Sequence, residues 1–349
     1  MKERLAQYLI CPVCRTSLEM TVSERDGDEI VNGRFVCPNG HEYPVSDGVP
    51  RMIPFIKDAG KKQTQESFSD KWQQIPDFGF DDASQQLYVD WYLQRYGFGT
   101  VEGLQDFLKD KKRVLDAGTG LGRDAHLYAT NCPGEVFALD LSTSINLAYR
   151  RLKDIANLHL LQADLTALPF PDGMFDYLAC DQVIHHTPDT ATSFAHLAEH
   201  VAPGGQFVTY TYRKKGPIRE FSDDFLRDYY TQSSPEECYE FSKAMMALGR
   251  SLTDLNVEFE VPEDIPILQI KAGKYDLQRF LYWNVFKIYW NAALDEETNI
   301  MTNYDWYRPQ HAHRHTAKEL REWCEKAGLE VIWMDVIESG ISVRAERPK

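Results

Sequence analysis

Residues 113–125 read Arg-Val-Leu-Asp-Ala-Gly-Thr-Gly-Leu-Gly-Arg-Asp-Ala, a short apolar run followed by a glycine-rich turn. Gly118, Gly120 and Gly122 allow the backbone to turn tightly and to approach a ligand more closely than a Cβ would permit. These glycines stand at every second position and follow Asp116, so the stretch differs from the dinucleotide pattern G-x-G-x-x-G. It predicts a buried strand, a ligand-binding loop and a helix in succession.

Three more apolar runs follow, and each of them ends in an acidic residue. The run at 136–140 places a carboxylate twenty residues beyond Gly120, where it can accept hydrogen bonds from a ribose diol. The runs at 160–164 and 175–181 end in two further acids, and Ser142 is expected to cap the helix after the first run. Strands that alternate with helices predict an open, mostly parallel sheet with its ligand at the carboxyl ends of the strands.

In this order the motifs resemble those of the class I S-adenosylmethionine-dependent methyltransferases, over residues 113–212. The family pattern L-P-F-x-D-x-x-F-D occurs at 168–176, and L-x-P-G-G is matched by Val-Ala-Pro-Gly-Gly at 201–205. The resemblance implies an α/β fold with a seven-stranded Rossmann-like sheet and S-adenosylmethionine as cofactor. It assigns cofactor binding to Asp116, Gly118, Thr119, Gly120, Gly122, Asp140, Leu141, Asp164, Leu165 and Asp181. A nicotinamide-binding domain and a related fold that binds nothing are the alternatives.

The N-terminal stretch contains two short motifs that carry potential metal ligands. Cys11-Pro-Val-Cys14 and Cys37-Pro-Asn-Gly-His41 together supply the three thiolates and one imidazole of a closed, structural zinc site. The chain has seven cysteines, an odd number, and three of them lie in the first 37 residues, which favours a metal over disulfides. Reduced thiols beside a surface histidine are the alternative. Residues 5–55 resemble the zinc ribbon of the small activator proteins of tRNA and release-factor methyltransferases.

The sequence predicts five parts in order along the chain. They are a zinc ribbon (1–56), a linker with N-terminal helices (57–112), a cofactor-binding core (113–213), a helical substrate-lid insertion (214–315), and a C-terminal helix with strands that complete the sheet (316–349). Residues 57–62 are polar and contain a glycine, which is typical of a linker. The insertion is far longer than an ordinary connection, and the apolar spacing at 241–252 and 275–294 predicts helices within it. Thr316-Ala-Lys-Glu319 is a capping box that opens the last helix.

Candidate catalytic residues lie near the ends of the fourth and fifth predicted strands and just before the last helix. Methyl transfer requires an acceptor atom held in line with the methyl group, and a hydroxyl or acidic carbon also requires a base. His185 and His186 are the candidate bases, and His186 is the first choice, with a loop-supporting role as its alternative. Tyr212 and His313 are the other candidates. The histidines at 311, 313 and 315 alternate, so an extended backbone would place them on one side, where a second metal site is a further alternative.

The net charge of −15, from 38 basic and 53 acidic residues, disfavours general attraction to nucleic acid or to an anionic membrane. No signal peptide or membrane-length apolar run is evident, so a cytoplasmic protein is expected. The leading expectation is methylation of oxygen or carbon in a small-molecule, saccharide or lipid-linked acceptor. One alternative is an RNA base methyltransferase that binds RNA through its zinc ribbon. The other is a non-catalytic cofactor-binding scaffold whose ribbon docks a protein partner.

Overall fold

The N-terminal residues form an antiparallel sheet in the computed structural model, which describes residues 1–349 apart from the side chains of residues 82 and 83. Its strands are β1 (Glu19–Asp26), β2 (Glu29–Val36), β3 (Glu42–Ser46) and β4 (Val49–Met52). None of the helices in the described part of the chain combines the length and apolar character needed to cross a membrane.

Three helices come next: α1 (Ala59–Gln74), α2 (Asp82–Arg95) and α3 (Val101–Leu108). The linker predicted at 57–62 is therefore wrong over most of its length, because α1 begins at Ala59. The helix starts there since the Asp58 carboxylate accepts a hydrogen bond from the Lys61 backbone N–H at 2.5 Å, which satisfies a free donor of the first turn.

The core alternates strands and helices as the sequence predicts. Its elements are β5 (Arg113–Ala117), α4 (Arg123–Asn131), β6 (Glu135–Asp140), α5 (Ile145–Leu152), β7 (Leu158–Ala163), β8 (Phe175–Cys180), α6 (Thr190–Glu199) and β9 (Val201–Arg213). Ser142 does not cap α5, because its N–H and hydroxyl both donate to Asp140 Oδ1, at 2.7 and 2.6 Å. Ser144 occupies the cap position without a side-chain bond.

The insertion and the C-terminal segment complete the chain. Their elements are α7 (Pro217–Tyr230), α8 (Pro235–Asp254), β10 (Glu258–Val261), β11 (Gly273–Asp276), α9 (Leu277–Asn284), α10 (Glu296–Tyr307), β12 (Arg314–His315), α11 (Ala317–Lys326), β13 (Glu330–Val336) and β14 (Gly340–Glu346). The helix predicted across 275–294 ends at Asn284. Beyond Asn284, asparagine side chains accept hydrogen bonds from backbone N–H groups that a helix would bond internally. Tyr289 N–H donates to Asn303 Oδ1, and Asn291 N–H donates to Asn299 Oδ1.

The core sheet has the order β7-β6-β5-β8-β9-β14-β13, so the predicted seven-stranded sheet is confirmed. Strands β5 to β9 pair in parallel, whereas β14 runs antiparallel to β9 and β13. On the other side β4 pairs in parallel with β7, through Arg51 with Gln162 and Met52 with Ala163. The N-terminal sheet therefore continues the core sheet, and the two share one hydrophobic core.

Candidate functional site

A cavity of about 550 Å³ opens at the carboxyl ends of the parallel core strands. One end is lined by the loops after β5, β6, β7 and β8, and the other end by the insertion. Of the ten residues that the sequence assigns to the cofactor, the structure brings eight to this cavity: Gly118, Thr119, Gly120, Asp140, Leu141, Asp164, Leu165 and Asp181. Asp116 and Gly122 do not line it.

The glycine loop shows why each glycine is present. Gly118, Gly120 and Gly122 all have positive φ, at +94°, +56° and +91°, a conformation that other residues rarely adopt. A Cβ on Gly122 would lie 2.5 Å from Leu152 Cδ1, so this glycine permits the packing of α5 against the start of α4. A Cβ on Gly120 would instead meet the indole of Trp72 at 3.3 Å, beside the cavity.

Asp140 at the end of β6 holds the glycine loop in place. Its Oδ2 accepts a hydrogen bond from the Gly120 N–H at 2.8 Å, and its Oδ1 accepts the two bonds from Ser142. A carboxylate accepts about four hydrogen bonds, so it retains capacity for a ligand hydroxyl. Burial raises the pKa of Asp140, whereas the hydrogen bonds from Ser142 and Gly120 favour its charged form.

Helix α1 covers the cofactor end of the cavity, although none of its residues was predicted to belong to the site. Lys61 forms an ion pair with Asp164 and donates to Thr166 Oγ1 at 2.6 Å, and Gln65 Nε2 donates to the Leu141 carbonyl at 2.8 Å. Further along the helix, Trp72 faces Gly120. Lys61, Gln65 and Trp72 are spaced by four and seven residues, so helical periodicity already placed them on one face.

Asp181 is held by groups from α2 and the residue that follows it. Arg95 Nη2 donates to its Oδ2 at 2.7 Å, and the Tyr96 hydroxyl donates to its Oδ1 at 2.6 Å. All three side chains are almost completely buried, so the positive charge of the Arg95 guanidinium balances the negative charge of the Asp181 carboxylate where water does not reach. Asp181 lines the cavity while its two oxygens bind protein groups.

The predicted catalytic residues separate into two groups. His186 and Tyr212 line the cavity, whereas His185 and His313 do not. His186 Nδ1 lies 2.7 Å from the His311 carbonyl, which can only accept, so Nδ1 carries the hydrogen and Nε2 carries the lone pair. Burial lowers the pKa of His186 to about 3, which makes it a weak base and a neutral hydrogen-bonding group at pH 7.

His185 is fully buried, and neither of its ring nitrogens has a hydrogen-bond partner within the described part of the chain. Its ring lies 3.9 Å from that of Tyr212, and its backbone carbonyl accepts from the His313 N–H at 2.9 Å. His313 belongs to a second, separate cavity, with its ring 5.8 Å from that of His311 and 6.3 Å from that of His315. Among the described side chains, these three histidines do not form a ligand cluster close enough for a metal.

The insertion end of the cavity combines aromatic and cationic side chains. The aromatic residues include Tyr282, Trp283, Tyr289 and Trp306. The cationic residues are Lys71, Lys215, Arg219, Arg279 and Lys287, and Asp305 lies among them. No local motif marks this group, because its members are spread over more than 200 positions.

The four N-terminal ligands predicted for a metal come together. The side-chain ligand atoms of Cys11, Cys14, Cys37 and His41 all lie within 4.8 Å of one another. Cys14 Sγ is 3.6 Å from Cys37 Sγ, and His41 Nδ1 is 3.2 Å from Cys37 Sγ and 3.6 Å from Cys11 Sγ. Tetrahedral zinc with Zn–S bonds of about 2.3 Å spaces its ligands by roughly 3.5–3.8 Å. Two of the three separations lie in this range and the third is slightly shorter, so the cluster fits a zinc ribbon.

Two of these sulfurs each lie close to one hydroxyl group. The Tyr43 hydroxyl lies 3.3 Å from Cys11 Sγ, and Thr16 Oγ1 lies 3.1 Å from Cys14 Sγ. The His41 backbone N–H also donates to Cys37 Sγ at 3.3 Å. Such outer contacts orient metal ligands and stabilise thiolates.

Comparison with known proteins identifies the core. Residues 114–205 match the family model described as a methyltransferase domain. The chain is 35% identical over 103 residues to the demethylmenaquinone methyltransferase of Thermus thermophilus, an alignment that covers 29% of this chain and 47% of that protein. It is 37% identical over 112 residues to the fatty-acid O-methyltransferase of Mycolicibacterium smegmatis, which covers 32% of this chain and 40% of that protein. The chain thus spans less than half the length of these relatives.

Among solved structures, the magnesium protoporphyrin IX methyltransferase of Synechocystis PCC 6803 with bound S-adenosylmethionine is similar, with a TM-score of 0.42 and 12% identity. The superposition covers 84% of this chain and all of that chain.

Proposed function

We propose that this chain, which contains a class I S-adenosylmethionine-dependent methyltransferase domain at residues 114–205, methylates a small acceptor enclosed between that domain and the insertion. The observation that carries the proposal is the cavity of about 550 Å³, which the cofactor loops and the insertion line together. Ligand cavities of this size bury most of the surface of the small molecule that they bind.

The cavity residues fit S-adenosylmethionine in chemical type. Gly120 leaves the backbone open where a Cβ would fill the space toward Trp72, and Asp140 retains hydrogen-bonding capacity suited to a ribose hydroxyl. Asp164 and Leu165 would border the adenine, and Lys61 holds the Asp164 carboxylate in place. When bound, the cofactor supplies an electrophilic methyl group on a positively charged sulfur.

His186 and Tyr212 would orient the acceptor. The bound cofactor would supply the methyl group and would keep the electron pair of the broken S–CH3 bond, while the proton that the acceptor loses would pass by way of His186 Nε2 to solvent. The Nε2 lone pair of His186 is suited to accept a hydrogen bond from an acceptor hydroxyl, and its low pKa favours orientation over proton storage. The insertion would shield the acceptor from water, which would otherwise solvate it.

A small acceptor agrees with the aromatic lining and with the names of the relatives, which act on demethylmenaquinone and on fatty acids. Saccharide and lipid-linked acceptors remain within the proposal, and methylation is on oxygen or carbon. We also propose a structural zinc ion on Cys11, Cys14, Cys37 and His41, because the spacing of these ligands matches that of tetrahedral zinc.

The test is incubation of the purified chain with methyl-labelled S-adenosylmethionine and a cell extract divided into small-molecule, lipid and RNA fractions. We expect label in the small-molecule or lipid fraction. Gly120→Val should abolish it, whereas Gly173→Val is the matched control, because Gly173 also has positive φ but no atom lies within 4 Å of the position that a Cβ would take there. Label in RNA alone, or equal labelling by both variants, would contradict the proposal.

A further inference from the structure

The insertion end of the cavity holds more positive than negative charge, although the whole chain carries −15. Five cationic side chains line it, Lys71, Lys215, Arg219, Arg279 and Lys287. Two carboxylates pair with members of this group, Asp305 from α10 and Asp223 from α7. The group therefore has uncompensated positive charge, which lies mainly on the less exposed members because Arg279 is exposed to solvent.

The pairing pattern shows where this charge lies. Lys71 and Lys287 share the Asp305 carboxylate, at 2.5 and 3.6 Å, and Arg219 Nε contacts Asp223 Oδ2 at 2.8 Å. Lys215 Nζ donates to two backbone carbonyls, those of Arg213 at 2.8 Å and Ser339 at 3.1 Å. Across the described side chains, neither Lys215 nor Arg279 has a carboxylate within ion-pairing distance.

Three of the cations lie beside aromatic walls of the cavity. Lys287 Nζ lies 4.9 Å and Arg219 Cζ 5.3 Å from the centroid of the Trp306 ring. Lys215 Nζ lies 5.6 Å from the centroid of Trp283, another wall of the cavity. A ligand with an apolar body against these rings would place its polar end among the three cations.

Burial makes this arrangement costly without a counter-ion. Desolvation lowers the pKa of Lys215 to about 7 and that of Lys287 to about 8, so both ammonium groups lose stability from burial. A bound anion would restore favourable electrostatics, because charge-assisted hydrogen bonds are strongest where water is excluded.

We propose that the acceptor carries an oxyanion, a carboxylate or a phosphate, which Lys215, Arg219 and Lys287 bind while the aromatic side chains hold its apolar part. This inference rests on the proposed function, in which the acceptor occupies this cavity. The three cations belong to the insertion, whereas the cofactor residues follow strands of the core, so the oxyanion site belongs to the acceptor rather than to the cofactor's own carboxylate.

The experiment measures binding and requires no turnover. The full-length chain is saturated with S-adenosylhomocysteine and titrated with phenyl phosphate, with benzoate and with neutral benzyl alcohol, and tryptophan fluorescence reports binding beside Trp283 and Trp306. We expect at least one anion to bind about tenfold or more tighter than the alcohol, the scale of one hydrogen bond to a charged group. Preference between the two anions distinguishes a phosphate from a carboxylate.

Variants test the named residues. The double variant Lys215→Gln with Lys287→Gln should lose this preference and keep its affinity for S-adenosylhomocysteine, which shows that it is folded. Lys318→Gln is the matched control, since Lys318 is exposed on α11 and pairs with Glu322. The inference is overturned if neither anion binds at millimolar concentration, if the alcohol binds equally well, or if the double variant keeps the preference.

A further result would also overturn the inference: the anions bind the free chain but no longer bind once S-adenosylhomocysteine is present. The cations would then bind the cofactor and not the acceptor. Failure of the proposed function is seen separately, as the absence of labelled product from the extract.

Discussion

Lys61 on α1 forms an ion pair with Asp164 at the end of β7, across 103 positions of sequence. Both side chains are largely buried, with 15% and 8% of their surfaces exposed. The contact joins a helix outside the matched methyltransferase domain to the loop that borders the cofactor end of the cavity. Helix α1 is therefore part of the site and not a connection to it.

Lys61→Met should weaken binding of S-adenosylhomocysteine and lower the free energy of unfolding by about 1–3 kcal/mol, because the Asp164 carboxylate would stay buried without its cation. Calorimetry and denaturant unfolding measure the two effects. Lys62→Met is the matched control, since Lys62 is exposed and lies 3.8 Å from Glu66 on the same helix. Equal behaviour of the two variants would show that the ion pair does not support the site.

Asp140→Ala should weaken binding of S-adenosylhomocysteine by about 1–3 kcal/mol, because it removes a ligand contact and the bond that fixes the Gly120 N–H. Isothermal titration gives the affinity directly. Asp154→Ala removes an exposed acid near the end of α5 and should leave the affinity unchanged. Unaltered affinity in Asp140→Ala would refute the assignment of this carboxylate to the cofactor.

Cys14→Ser should reduce the zinc content and destabilise the whole chain by several kcal/mol, because a structural metal contributes directly to folding. A single unfolding transition at lower temperature is expected, since the ribbon and the core share one hydrophobic cluster. Elemental analysis and scanning calorimetry measure both effects. Cys132→Ser, far from the ligands, should retain the metal, and full zinc content in Cys14→Ser would rule out the proposed site.

Affinity for the anionic probes should fall as the pH rises above about 7. Burial lowers the pKa of Lys215 to about 7, so the free side chain loses its proton there, and a bound anion stabilises the protonated form. The neighbouring charges are Arg213, Arg219, Glu220 and Asp223. Guanidinium and carboxylate groups do not ordinarily change charge near neutral pH, so the dependence arises from Lys215 and, at higher pH, from Lys287, whose pKa burial lowers to about 8.

Titrations at several pH values measure this dependence. Lys215→Gln should give a flatter profile at lower affinity, and an identical slope in that variant would exclude Lys215 as the titrating group.

The sequence predicts the core well because its signals are local. The strands at β5 to β9 are short apolar runs, and the glycines after β5 mark a loop that requires positive φ. The zinc ligands are equally local, as two short motifs. The prediction of a helix across 275–294 is wrong beyond Asn284. There the side chains of Asn299 and Asn303, both on α10, accept hydrogen bonds from backbone N–H groups that a helix would bond internally.

The acceptor end is not predictable in the same way. Lys71, Lys215 and Lys287 carry no common motif, and only the packing of α1 against the insertion brings them to one cavity. The same holds for Arg95 and Asp181, whose ion pair depends on how α2 lies against the core sheet. Side chains that meet through tertiary packing leave no signal in the periodicity of either segment.

The pairing of β4 with β7 also changes which strand ends the sheet. Without the ribbon, β7 would be a fully buried, apolar strand at a free edge, with unpaired N–H and C=O groups that could pair with another molecule. Arg51 and Met52 cover one end of β7, and Lys2 Nζ donates to the Leu158 carbonyl at the other. The strand left at the edge is β1, which is largely exposed, rich in charge and irregular in register, features that oppose aggregation. The ribbon thus leaves β1, and not β7, as the outer strand on this side of the sheet.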